Sequence, residues 1–200
     1  DFVRGCVNAL SGDYSETIVD MVLPGVEPFA LQRSFHHSAK DKEALLGLRW
    51  HLCFDVNLEV CCFDDTHKNH TRTAHLHQNG GQIDFKYKTK VRKRNIPFPI
   101  DEKILKKGVT NTGGGALSGR TNLKNVSLVW DGQNSHWQVR DGAGTIKTFE
   151  RHLKSEFAPI ISEKRPAGNQ ILYEYNSDKD LQAARFTNSV GKCLEIGRAH

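Results

Sequence analysis

At 200 residues, with 28 Lys and Arg against 23 Asp and Glu, the chain carries a formal net charge of +5. That length buries a sizeable core as one domain or two small ones, and a 38% hydrophobic share excludes wholesale disorder, collagen and coiled coil. No run approaches the ~18 apolar residues of a membrane-spanning helix, so no membrane insertion is expected of this segment. The chain opens at Asp1 without an initiator methionine and stops at Gly197-Arg198-Ala199-His200, which reads as an excerpt of a longer protein.

Short strand-like runs separated by Gly, Asn and Asp turns set the rhythm. Residues 14–23 form a first run that ends at the turn dipeptide Pro24-Gly25, and Phe29, Leu31 and Arg33 begin a second that ends near Phe35. Residues 38–48, opened by Ser38, are a candidate helix. Over 50–63 the apolar residues Trp50, Leu52, Phe54, Val56, Leu58 and Val60 alternate with mostly polar ones, the period-two pattern of a half-buried strand or two. Residues 72–77 and 82–91 flank Asn79-Gly80-Gly81, a hairpin signal.

Residues 101–107 place acids first and lysines last, which suits the helix dipole, and 149–156 suit a helix by propensity. Between them, 108–122 contains Gly113-Gly114-Gly115 and Gly119 and is expected to be a loop. Runs at 124–130, 136–140 and 145–149 then break at Asp131-Gly132 and at Asp141–Gly144. Runs at 170–175, 181–187 and 193–196 are separated by 176–180 and 188–192. Strands at such spacing indicate a mainly-β protein of twisted antiparallel sheet. Expected organisation is a β module over 1–107, a glycine-rich loop over 108–122 and a hairpin region over 123–200. Trp50, Trp130, Trp137 and Tyr175 are the expected packing anchors.

Chemistry is sparse. Cys6, Cys53, Cys61, Cys62 and Cys193 are odd in number and lack a C-x-x-C pair, so free, buried thiols are expected rather than a disulfide framework or zinc cage. His67, His70, His75 and His77 cluster, and His75 and His77 share a strand face, yet no acid or thiolate at fixed spacing completes a metal set. His36 and His37 would point to opposite faces. The run GGGALSGR lacks the Gly-Lys-Ser/Thr and the following helix of a phosphate loop. No G-x-S-x-G elbow or marked carboxylate pair occurs. Neither an enzyme, a metal nor a cofactor is expected.

Six of the 28 basic residues fall in 86–94 with no acid among them, so the rest of the chain is nearly neutral. On a strand, Phe85, Tyr87, Thr89 and Val91 would face a core. Lys86, Lys88, Lys90 and Arg92, with Lys93 and Arg94 beyond, would form the one candidate surface for an anionic partner. A lysine-rich face also guards an edge strand against aggregation.

The opening residues carry a resemblance. Asn8 and Gly12, Asp20, Leu23-Pro24-Gly25, Pro28, Leu31, Arg33-Ser34-Phe35, Gly47 and Trp50 occur in the order typical of the N-terminal module of Rhs/YD-repeat proteins, which this stretch resembles. Residues 173–181, from Tyr173 through Tyr175-Asn176 to Leu181, resemble a degenerate YD repeat of usual form Tyr-x-Tyr-Asp-x-x-Gly-Arg-Leu. Asn176 stands for Asp, Lys179-Asp180 replace Gly-Arg, and Gly191-Lys192 fall at the next turn.

The resemblance implies stacked hairpin units that begin a β-spiral shell, or a β-sandwich leading into one. It implies a non-catalytic segment of a large secreted or surface protein of the bacterial polymorphic-toxin type, which encapsulates or displays a C-terminal effector. Its principal partner would be the remainder of its own polypeptide. The alternative is a β-rich adhesion module for a glycan or an anionic partner, which exposed aromatics in a cleft would favour and tryptophans buried between strands would disfavour.

Overall fold

The computed structural model describes residues 2–3, 7–8, 14–37, 49–60, 71–78, 81–89, 109–111, 115–117, 121–123, 125–131, 133–134, 136–150, 157–178 and 180–197. Every described regular element is a strand, as the turn-punctuated sequence predicts. No helix among these residues is long and apolar enough to cross a membrane. The expected helices at 38–48 and 101–107 lie outside the described residues. Of 149–156, Phe149 and Glu150 close a strand and the rest lie outside.

The chain divides into two compact units, 1–56 with 77–81, and 57–76 with 82–200. In the first, β1 (Phe2–Val3) pairs with β2 (Val7–Asn8). A three-stranded antiparallel sheet follows in the order β3 (Ser15–Leu23), β4 (Phe29–His36), β5 (Trp50–Leu52). The 3/4 ladder slips between Val19 and Met21, leaving Asp20 as the extra residue of a bulge.

The alternating run at 50–63 breaks in two. Leu52 N–H donates to Asp55 Oδ2 at 3.0 Å and Asp55 N–H donates back to the Leu52 carbonyl at 2.9 Å, a tight reciprocal turn. Beyond it Phe54 is buried, and so are Val56, Leu58 and Val60 of β6 (Val56–Val60), as the pattern predicts. Before it Trp50 and Leu52 are only half-buried, and His51 between them is the buried one. The turn interrupts the strand, so a single parity does not run through both halves.

Among the described residues the larger sheet has thirteen strands. It adds β7 (Thr71–Gln78), β8 (Gly81–Thr89), β9 (Val109–Asn111), β10 (Gly115–Leu117), β11 (Thr121–Leu123), β12 (Ser127–Asp131), β13 (His136–Arg140), β14 (Ile146–Glu150), β15 (Phe157–Lys164), β16 (Gln170–Tyr175), β17 (Leu181–Thr187) and β18 (Cys193–Gly197). β9 and β10 both pair with β8, although they lie in the glycine-rich stretch expected to be loop. Ladder bonds are made by backbone, so glycine weakens a strand without forbidding it. β9 also lies against β12, so this sheet curls toward a closed barrel.

The longest strand to escape the sequence reading is β15 (Phe157–Lys164). β15 holds Pro159, whose missing N–H argues against a central strand. It is nonetheless the hub, pairing with β14 through 160–164, with β16 through 162–164 and with β6 through 157–159. The β14 ladder reaches only to Ile160, so Pro159 lies one residue beyond it and its missing N–H interrupts nothing there. A bulge between the Phe149–Ile160 and Thr148–Ser162 rungs makes Ile161 the extra residue. It turns Glu163, not Ser162, to the face that buries Phe149 and Ile160. Cross-strand rows on that face run Trp130, Trp137, Phe149, Ile160 and Leu128, Val139, Lys147, Glu163, Ile171, Phe186. Glu163 is buried and therefore needs its counter-charges, Arg165 Nε at 2.9 Å and Lys147 Nζ at 3.9 Å.

Of the expected anchors, Trp137 is buried and meets Trp130 edge-on at 4.9 Å between centroids, while Trp50, Trp130 and Tyr175 are half-buried. Cys53 is half-buried and Cys193 exposed, both as free thiols. Cys193 thus departs from the buried expectation: it begins a strand that, among the described residues, pairs with β17 alone. Cys6, Cys61 and Cys62 lie outside the described residues.

Candidate functional site

In the first unit, residues spaced widely along the sequence meet on one sheet face. Alternation puts Arg33 and Phe35 of β4 on the same side, and Trp50 is the register partner of Phe35. Arg33 reaches back to the bulged Asp20 through two bonds, Nε to Oδ2 and Nη2 to Oδ1, both 2.8 Å. Its guanidinium lies 5.6 Å from the Trp50 ring centre, while Phe35 packs at 5.3 Å from Trp50 and at 5.7 Å from Tyr14. The bidentate fork and the stacked cation use the two properties that separate Arg from Lys. Asp20, Arg33, Phe35 and Trp50, all part of the ordered pattern in the sequence, thus form one cross-sheet clasp.

In the second unit the turns carry the regularity. In 141–145, 165–169 and 188–192 the first residue's N–H donates to the fifth residue's carbonyl at 3.1, 2.8 and 2.9 Å. The fourth residue is always glycine, and its N–H donates to the first residue's carbonyl at 3.2, 3.0 and 3.0 Å. Gly144, Gly168 and Gly191 have φ of +94°, +89° and +81°, the left-handed conformation where a side chain is strained. This is the three-residue hairpin loop closed by a glycine bulge.

A polar side chain at the first place often reinforces the turn. Asp141 Oδ1 accepts from Thr145 N–H at 2.9 Å, and Asn188 Oδ1 accepts from Val190 and Lys192 N–H at 3.1 and 2.8 Å. The 176–180 turn has the same closure, Asn176 N–H to the Asp180 carbonyl at 3.0 Å. There Asn176 Oδ1 accepts from Asp178 and Asp180 N–H at 3.0 and 2.8 Å.

Because strands alternate direction, the turns beginning at 141, 165 and 188 share one rim, and they stack. A Cβ on Gly144 would approach Pro166 Cγ to 3.2 Å, and one on Gly168 would meet Ser189 Cβ at 3.4 Å. The buried Asn169 accepts from Ser189 N–H through Oδ1 at 3.1 Å. On the outward face Arg185 bridges Glu174 at 2.9 Å and Glu195 at 3.0 Å. Hydrogen bonding to Glu195 and the charge of Glu174 keep its guanidinium protonated beyond the usual range. At the foot of β12, Asp131 accepts from the Asn134 side-chain amide at 2.8 Å and from Asn134 and Gln133 N–H. The amide and N–H of Asn134 lead in holding its carboxyl below the usual carboxylate range.

The residues singled out in the sequence fare unequally. Lys86 and Lys88 lie on β8, with the backbone of Lys88 opposite Thr110 of β9. Lys90, Arg92, Lys93 and Arg94 lie outside the described residues, as do His67 and His70. Ile83 and Phe85 are buried and Gln82 and Asp84 half-buried, the predicted alternation as far as residue 85. His75 Nδ1 lies 2.6 Å from Asp84 Oδ1, which also accepts from Gln82 Nε2 at 2.6 Å. Among the described residues no group of three His, Cys, Asp or Glu is placed to hold a metal ion.

Sequence reasoning missed the turn repeat, though its signal is present. A glycine stands fourth in Asp141-Gly142-Ala143-Gly144, Arg165-Pro166-Ala167-Gly168 and Asn188-Ser189-Val190-Gly191. No curated protein matches the chain. Residues 5–85 match a protein family described as Domain of unknown function (DUF6531), a stretch that takes in the Asp20–Arg33–Trp50 clasp and runs to Phe85.

Proposed function

We propose that this chain is a non-catalytic structural segment of a large secreted or surface Rhs/YD-repeat protein. It forms part of a β-shell that encapsulates or displays a C-terminal effector, and its principal partner is the rest of its own polypeptide. The observation that carries the reading is the stacked rim. Turns of one design begin at 141, 165 and 188, so each pair of strands is delivered in the same register as the last. A hairpin alone cannot bury its apolar face, and a wall built by lateral pairing lets each unit cover the next. The buried rows on one face of β12–β17 and the Glu174–Arg185–Glu195 ladder on the outward side suit a wall with a dry and a wet surface.

The adhesion reading gains little from the aromatics. Trp137 is buried, Trp130 packs against it, and Trp50 is taken up by Arg33 and Phe35. Electron microscopy of the intact parent polypeptide, paired with protease digestion, tests the proposal. A hollow particle whose C-terminal segment is cleaved only after the shell is opened is the expected result. A parent chain without further glycine-turn hairpins downstream, or a C-terminal segment cut as readily in the intact particle, overturns it.

A further inference from the structure

His51 is 4% exposed, and its Nε2 is enclosed with no hydrogen-bond partner among the described residues. An unmade bond at a buried polar atom costs about 1–3 kcal/mol, so a native structure retains one where something further satisfies it. Beside it is a second imidazole. His36 of β4 has its ring centre 6.1 Å from that of His51, with the planes at 57°. The register accounts for the pairing. Ser34 is directly opposite His51, and His36, two residues on, shares the Ser34 face and is its diagonal neighbour. Ser34 Oγ is already bonded to Thr17 Oγ1 at 3.2 Å, and His37 Nδ1 lies 3.2 Å from Arg49 Nη1.

We propose that His36 and His51 form a two-imidazole site for a borderline transition-metal dication, Zn²⁺ or Ni²⁺. Imidazole nitrogen ligates such ions at ~2.0–2.1 Å, which sets two ring centres about 5.2 Å apart at a tetrahedral angle and about 6.4 Å apart when trans. The observed 6.1 Å lies between those spans, so a tetrahedral pair requires His36 to close by about 1 Å. His51 is held by burial, and the half-buried His36 is the ligand that adjusts. The ion enters from the His36 side and keeps water in its remaining positions, since no third His, Cys, Asp or Glu among the described residues joins the pair.

Calorimetric titration of the whole chain with zinc chloride, beside its thermal denaturation, tests the site in wild type, His36→Gln, His51→Gln and the double variant. Each single variant is expected to lose one equivalent of zinc and part of the zinc-induced rise in Tm. The double variant loses that same single equivalent. Full stoichiometry in either single variant, or loss of two equivalents in the double, overturns the proposal. Should His51→Gln fail to fold, His36→Gln decides alone through nickel broadening of the His51 ring resonances. Broadening at wild-type nickel concentrations would overturn the site, and survival of the resonances supports it.

Discussion

The two units are fastened by opposite means. In β3–β5 the specific contacts are between side chains distant in sequence: Asp20 on a bulge, Arg33 thirteen residues later, Trp50 a further strand away. In β13–β18 the turns at 141, 165, 176 and 188 share one backbone closure, and specificity resides in a left-handed glycine at 144, 168 and 191 and in an Asp or Asn oxygen at 141, 176 and 188. Local devices of the second kind are copied by repeating a few residues. A clasp of the first kind works once, at one place, which suits the start of a structure rather than its continuation.

Substitutions that strike one device and spare the other separate the two. Phe149→Ala should have the largest effect, because Phe149 is fully buried between Trp137 and Ile160 in the wall's core row. A loss of about 3–5 kcal/mol in urea unfolding is expected. Gly191→Val comes next. No atom lies within 4 Å of a Cβ there, so only φ at +81° opposes a side chain, and about 1–2 kcal/mol is expected. Gly191→Asn should cost clearly less, since Asn tolerates that region, and equal losses for Val and Asn would refute the conformational account.

Arg33→Lys keeps the charge and discards the fork and the flat stack. The Asp20–Arg33 pair is more than a third exposed on the arginine side, so the loss should stay near ~0.5–1 kcal/mol, with faster amide exchange in β3–β5. The smallest effect concerns acid. Asp131's carboxyl is depressed by Asn134, so its contribution is complete above the ordinary carboxylate value and fades as pH falls through its own lowered one. Asp131→Asn should therefore lower stability slightly at neutral pH, leave it unchanged in acid where the carboxyl is protonated, and so flatten the low-pH limb of a stability profile.

Much of the wall was readable from residues alone because its determinants are local. Asp141–Gly144 and 188–192 mark turns by composition, and Val56, Leu58 and Val60 mark a buried face by period. The family resemblance rested on an ordered set of residues, four of which proved to be one clasp. What escaped was the hub strand, where Pro159 is atypical of a central strand, and the strand pairing at β10, which three consecutive glycines disguised.

By itself, then, the chain's chemistry determined a mainly-β protein, many strand positions and several of the turns, since period and turn residues act over fewer than ten positions. Only the tertiary structure decided which strand branches the sheet, that a bulge turns Glu163 inward, and that His36 meets His51. Those outcomes depend on register between strands, and register arises from the sum of many weak cross-strand contacts rather than from any neighbouring residue.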